Sequence, residues 1–366
     1  MRTLANGLAS RQDNFLLLRF VAATMVIYGH SHLFFGMGVL DIFQRSGWGT
    51  YSGTIAVDFF FTISGFLVTG SLLRRPSVIS FIVARTLRLL PAYALCLVLC
   101  AFVFGPMLTT LPLHEYLQHP DTAAYVWSNL ELQNLHWQLP GVFANNPPPQ
   151  AVNASIWTLP AEASMYLWLA ALGLVGIFKL RWLASVSLIV LSVYGYLHWP
   201  DVPMLIYHAT YAQFAGLFAL GAFCYLHRAW IPLGHSWMFA LVLLACFTHG
   251  SVVFPFSLAL AEAYFCFWFA YCLPWYGFNR MGDYSYGIYL WGFPCQQFVM
   301  TFLHDPWPGK ISLYAFPLAL MMAVMSWHCL ERPVLRLKNW HPWKKFGLTR
   351  INSAVASADT DKTGAV

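Results

Sequence analysis

The stretch Phe15–Ser31, FLLLRFVAATMVIYGHS, decides how this chain is read. It is an apolar run that carries an arginine, Arg19, and a histidine, His30. As a helix it places the two ~16 Å apart along the axis, at 1.5 Å per residue. Eleven steps of about 100° bring them back to within roughly 20° of one direction, so they share a face. Ionisable groups inside a bilayer are costly, and they normally face an interior cavity and carry function.

The remainder of the chain matches that opening. Hydrophobic residues make up 59% of it and charged residues 9%, far below the usual quarter charged for a soluble domain. Ten apolar segments can be drawn, at 14–33, 56–73, 89–109, 156–178, 182–199, 204–225, 237–253, 257–275, 283–303 and 311–329. The expected fold is therefore all-α, a polytopic membrane bundle of about ten transmembrane helices. One membrane domain is expected over 1–350, with a disordered polar tail over 351–366. The first run has no small-residue cleavage site after it and reads as a retained helix.

Lysines and arginines set the orientation. With the N-terminus in the cytoplasm, seventeen of them fall on inner loops and only Arg45 and Lys310 on outer ones. An even number of spans returns the C-terminus to the cytoplasm. The net charge of +6 follows from this bias and does not call for nucleic acid. The eight cysteines lie in apolar segments without CxxC pairing and read as small buried hydrophobes. No metal-ligand spacing, Walker loop or GxSxG elbow is present.

Several residues stand out for chemistry. His30 exchanges a proton near neutral pH. Asp58, at the start of the second span, and Glu162, early in the fourth, lie at comparable depth; either would orient the imidazole. Each also suits a plain helix-start acid. Pro160 before Glu162 fits a cavity wall better than a lipid face. Glu262 sits deeper, without a motif. Arg74, Arg75, Arg85 and Arg88 crowd one short inner stretch, as a phosphate site or a positive-inside anchor. The outer loop at 110–155 holds no lysine or arginine but carries aromatics, including Trp127 and Trp137. Such faces suit a carbohydrate, or an interfacial belt. Asn153-Ala-Ser155 fits a glycosylation sequon by chance.

Six motifs in register resemble the acyltransferase 3 family of integral membrane acyltransferases. Arg19 and His30 match its Arg-x10-His signature, and AVDFFFTISGFLVT its second span. FIVARTLRLLPAY matches its RxxR…P segment; VNASIWTLPAEASMYL, with Trp157, Glu162 and Tyr166, its W(S/T)LxxE…Y segment. MGDYSYGIYLWGFP and SWHCLERPVLRLK match its last two motifs. The closing histidine of the SYxxYL motif is replaced here by Gly292, and the added esterase-like domain of some members is not expected.

The resemblance implies transfer of an acyl group, usually acetyl from acetyl-CoA, to a hydroxyl of an extracytoplasmic glycan or glycolipid at a bacterial inner membrane. The expected catalytic set is His30, Arg19, Glu162 and Asp58, with His30 as general base or acyl carrier. The donor would be met by Arg85, Arg88, Arg74 and Arg75, and the acceptor by Trp157, Tyr166, Trp127 and Trp137. No metal is expected; partners would be the lipid bilayer, the glycan and envelope polysaccharide machinery. A transporter or flippase for an anionic or lipid-linked glycan also suits intramembrane Arg, His and Glu, but no paired repeats with broken helices are seen.

Overall fold

A computed structural model of the chain describes residues 2–74, 77–148, 150–197 and 210–337. The helices are α1 (Leu4–Ala9), α2 (Phe15–Leu33), α3 (Ile42–Arg45), α4 (Ser52–Leu73), α5 (Val78–Leu99), α6 (Gly105–Leu108), α7 (Leu113–Gln118) and α8 (Pro120–Leu130). They continue with α9 (Leu159–Leu174), α10 (Arg181–Leu197), α11 (Thr210–Leu226), α12 (His235–Thr248), α13 (Phe254–Cys272), α14 (Ser285–Phe302), α15 (Pro308–Ser326) and α16 (Arg332–Arg336). Among the described residues there is no strand, only the isolated bridges Thr3–Pro232 and Thr109–Val142.

Within the described residues, each of the ten apolar segments coincides with a helix. Among the described residues, five helical stretches are long and apolar enough to cross a bilayer: Phe15–Leu33, Ser52–Leu73, Val78–Leu108, Phe254–Cys272 and Pro308–Arg336. The third of these begins eleven residues before the apolar segment drawn at 89–109, so Arg85 and Arg88 stand on α5. One π-helical turn (Cys100–Phe104) joins α5 to α6, and another (Trp327–Glu331) joins α15 to α16. The polar tail at 351–366 lies outside the described residues.

The core forms where α2 and α4 meet α11, α13, α14 and α15. Helices α4 and α11 cross at backbone contact. A Cβ on Gly65 would stand 2.0 Å from the Phe218 carbonyl oxygen, and one on Gly221 2.1 Å from that of Thr62. Small residues allow this approach, which brings Phe61 flat onto Phe214 at 4.5 Å. All eight cysteines are free; Cys246 and Cys329 are exposed on the helix surface.

The long loop is not a surface excursion. After α7 and α8 its irregular chain runs into the bundle, where each polar group needs a partner. Asn146 donates from Nδ2 to the Gln297 backbone oxygen at 3.0 Å and to Gln297 Oε1 at 2.8 Å. Asn153 Nδ2 donates to the Leu290 oxygen at 2.8 Å, and the Tyr289 hydroxyl to the Ser155 oxygen at 2.7 Å. Asn153 is fully buried, which closes its sequon to modification. A short 3-10 turn (Ala154–Thr158) then turns the chain into α9, with Pro160 in its first turn.

Overpacking a close helix crossing costs about 1–3 kcal/mol. Gly65→Ala and Gly221→Ala are each expected to lower the thermal midpoint of the detergent-solubilised protein. Unchanged midpoints in both would mean that α4 and α11 do not touch as described.

Candidate active site

Five elements bring their polar residues to one cavity of about 140 Å³. Helix α2 supplies Arg19, α4 supplies Ser64, and α5 supplies Arg85 and Arg88. Helix α9 supplies Glu162 and Tyr166, and α14 supplies Tyr286 and Tyr289. Local sequence explains each placement. Arg85 and Arg88 are three apart on α5 and so share a face. Glu162 and Tyr166 are four apart on α9, and the tyrosine hydroxyl donates to the Glu162 carboxylate. The same hydroxyl lies 3.3 Å from Ser64 Oγ. Glu162 therefore shares a cavity with Arg19, Arg85 and Arg88.

The charges of this region are mostly spoken for. Asp283 Oδ2 accepts from Arg19 Nη2 and from Arg88 Nη2, each at 2.6 Å. Its Oδ1 accepts from Ser285 Oγ at 2.6 Å. Arg88 Nη1 reaches Glu331 Oε2 at 3.4 Å, and Glu331 Oε1 accepts from Ser326 Oγ at 2.9 Å. Glu331 is 3% exposed and Arg88 18%. Gly282 makes room for this knot, since a Cβ there would meet Trp327 Nε1 at 2.4 Å. Reading by residue type passed over Asp283 and Glu331, although both sit in quoted motifs, GDYSY and LERP.

Arg85 differs from its neighbours. No carboxylate among the described residues pairs with it, and its buried Nε lacks a hydrogen-bond partner. Its guanidinium carbon lies 5.9 Å from the Tyr166 ring centre. The cavity walls carry three guanidiniums and one carboxylate, and Arg85 is the guanidinium among them that no ion pair holds. Arginine presents a planar fork that suits phosphate and carboxylate oxygens.

His30 lies elsewhere on α2, 5% exposed, and is not among the residues lining that cavity. Its ring stands edge-on to Phe293 at 5.4 Å, and its buried Nδ1 has no partner. Beside it Gln296 Nε2 donates to the Ile27 oxygen at 2.6 Å and to Ser31 Oγ at 2.7 Å, leaving Gln296 Oε1 buried and unpartnered. Gly292 faces Ile27, whose Cγ1 would lie 2.8 Å from an added Cβ. Neither carboxylate expected beside His30 is bonded to it. Asp58 accepts from Gln213 Nε2 at 3.1 Å and faces Glu262, which gives that acid its partner.

The other expected site residues scatter. Trp157 stacks on Tyr211 at 6.0 Å and does not line the cavity. Trp127 is 68% exposed and Trp137 38%. Arg74 caps the end of α4 and donates to the Tyr225 hydroxyl at 3.2 Å; Arg75 lies outside the described residues. No cluster of potential metal ligands occurs among the described residues.

Comparison with known proteins gives the family. A family model described as an acyltransferase domain matches residues 13–330. An O-acetyl transferase of Shigella phage Sf6 is 27% identical over 339 residues, 87% of this chain and 94% of that protein. Nodulation protein 10 of Rhizobium leguminosarum bv. viciae is 28% identical over 372 residues, 90% of this chain and 95% of that protein. No solved structure matches. The match spans His30, the three cavity arginines, Glu162 and Asp283 together, and the chain belongs to the acyltransferase 3 family of membrane acyltransferases.

Proposed function

We propose that this chain is a membrane O-acetyltransferase, moving an acetyl group from acetyl-CoA to a hydroxyl of an extracytoplasmic glycan or glycolipid. The observation that carries the reading is Arg85, a guanidinium on a cavity wall without a carboxylate partner. A donor rich in phosphate is what such a group suits. The name of the Shigella phage relative supports acetyl as the transferred group. The charge bias of the loops supports ten spans with both termini in the cytoplasm, which puts the arginine cavity on the donor side. The bilayer proposed is a bacterial inner membrane, with envelope polysaccharide machinery as the setting.

In this reading Arg85 holds the donor phosphates, while Arg74 and Arg75 attract them from the cytoplasm. Arg88 and Arg19 fix the cavity wall through Asp283. Tyr166 and Glu162 line the route of the pantetheine arm. His30 takes the proton of the acceptor hydroxyl through its imidazole. The hydroxyl oxygen then bonds to the thioester carbonyl carbon, the carbon–sulfur bond breaks, and the thiolate gains the proton from His30. A positioned base of this kind contributes on the order of 10²–10⁴ in rate. Asp58 acts at a distance, by holding α4 to α11 and α13. Trp157 shapes the turn that presents Glu162, and Trp127 and Trp137 offer aromatic faces to the acceptor.

His30→Ala is expected to abolish acetyl transfer in a protein that still inserts and elutes as wild type; near-normal transfer would remove His30 from the role of base. Arg85→Ala is expected to raise the donor KM by roughly 10–100-fold, the value of a charge-assisted hydrogen bond of about 1.5–3 kcal/mol. Its thermal midpoint should stay close to wild type, because it breaks no ion pair. Asp283→Asn is the converse: it takes the anion from the part-buried Arg19 and leaves Arg88 only Glu331, and should cost roughly 1–3 kcal/mol of stability. Equal thermal behaviour of the Arg85 and Asp283 variants would contradict this division of labour.

A further inference from the structure

A second cavity, about 360 Å³, opens between the start of α8 and the irregular segment that follows it. His119, Asp121, Gln138 and Gln150 supply its polar walls, and Leu111 and Pro140 part of its apolar surface. Its size falls in the ordinary range for small-molecule pockets, roughly 300–1,000 Å³.

The floor of this cleft is fixed before any ligand arrives. Thr110 N donates to the Gly141 oxygen at 3.1 Å, and Thr109 Oγ1 to the Pro140 oxygen at 2.7 Å. Gly141 takes φ +69, and a Cβ there would strike Thr109 Oγ1 at 2.7 Å. Gln150 spends its Nε2 on the Ala144 and Asn146 oxygens, at 2.8 and 3.3 Å, and keeps its Oε1 for a ligand. His119 Nδ1 accepts from Asp121 N at 3.3 Å, which leaves Nε2. The Asp121 carboxylate lies 3.7 Å from His119 Nδ1, and the polar groups that face the cleft are this carboxylate, amide donors and acceptors, and one ring nitrogen. No lysine or arginine lines the cleft. An anion would meet the Asp121 carboxylate with no lysine or arginine to offset it, and a hydrocarbon would strand the polar walls. A neutral polyhydroxyl compound matches both the donors and the acceptors.

The segment that lines the cleft continues into the packing around His30. Gln150 is followed by Ala151, which packs with Phe34 and Phe293, and Phe293 is the ring against His30. Gln297 Nε2 holds the Ala151 oxygen at 2.8 Å. We infer that this cleft is a sugar subsite, which seats one residue of the acceptor glycan with His119, Asp121, Gln138 and Gln150 as its hydrogen-bonding walls. The inference rests on the acetyl-transfer reading for its role, and on the cleft alone for its ligand class.

The test uses the full chain in lipid nanodiscs and an equimolar mixture of methyl glycosides of glucose, galactose, mannose and rhamnose. Saturation-transfer NMR should show at least one glycoside receiving magnetisation. The signal should fall at least fivefold in Gln138→Ala/Gln150→Ala and in Asp121→Asn, both with wild-type thermal midpoints. No signal from any glycoside, or equal signals in the variants, would overturn the subsite. The responding glycoside is then offered with acetyl-CoA. Acetylation supports both readings. Binding with loss in the variants but no acetylation keeps the subsite and counts against the transfer reaction instead.

Discussion

One carboxylate between two guanidiniums, Asp283 between Arg19 and Arg88, ties the membrane domain together. It joins α2 to α5 at the threshold of α14, and Arg88 extends the link to Glu331 after α15. Ions withdrawn from water lose several kcal/mol of hydration each, and only good mutual geometry offsets the loss. Here both oxygens of Asp283 are used and both acids carry a serine donor besides the arginines. The pairing also sorts the arginines. Two are consumed in holding the wall, and the third, Arg85, is left facing the cavity. Structure and chemistry in this site therefore draw on the same residue type, divided by which guanidinium has a counter-ion.

A second constraint shapes the opposite side of the site. Irregular backbone at membrane depth must be satisfied by protein. Asn146, Asn153, Tyr289 and Gln297 do this for the segment entering α9. These bonds explain how Glu162, in the first turn of α9, comes to share a cavity with Arg85 and Arg88 of α5. They also hold Ala151 against Phe34 and Phe293, next to His30. One segment thus touches the arginine cavity at its end and the imidazole region earlier on.

Helices were readable from local pattern, because apolar runs and their spacing are local facts. Arg19, Arg85 and Arg88 were readable as unusual for the same reason: a charge in a greasy run is visible at its own position. Partners were not. Asp283 meets Arg19 across 264 positions and Arg88 across 195, and no spacing rule reaches that far. The cavity that Glu162 shares with the arginines was not readable either, since its place follows from the buried loop and not from its count within an apolar run. The expectation of a carboxylate beside His30 rested on comparable depth alone. In the structure Asp58 turns to Gln213 and Glu262, and Glu162 to Tyr166.

The central claim is that the unpaired guanidinium marks where a phosphate-bearing donor enters. A cryo-EM map of the protein with coenzyme A tests it most directly. The account predicts phosphate density against Arg85, with the thiol arm running inward past Tyr166 while Asp283 keeps both of its arginines. Density for coenzyme A at any other face of the bundle, with Arg85 turned to lipid or to a carboxylate, would contradict it.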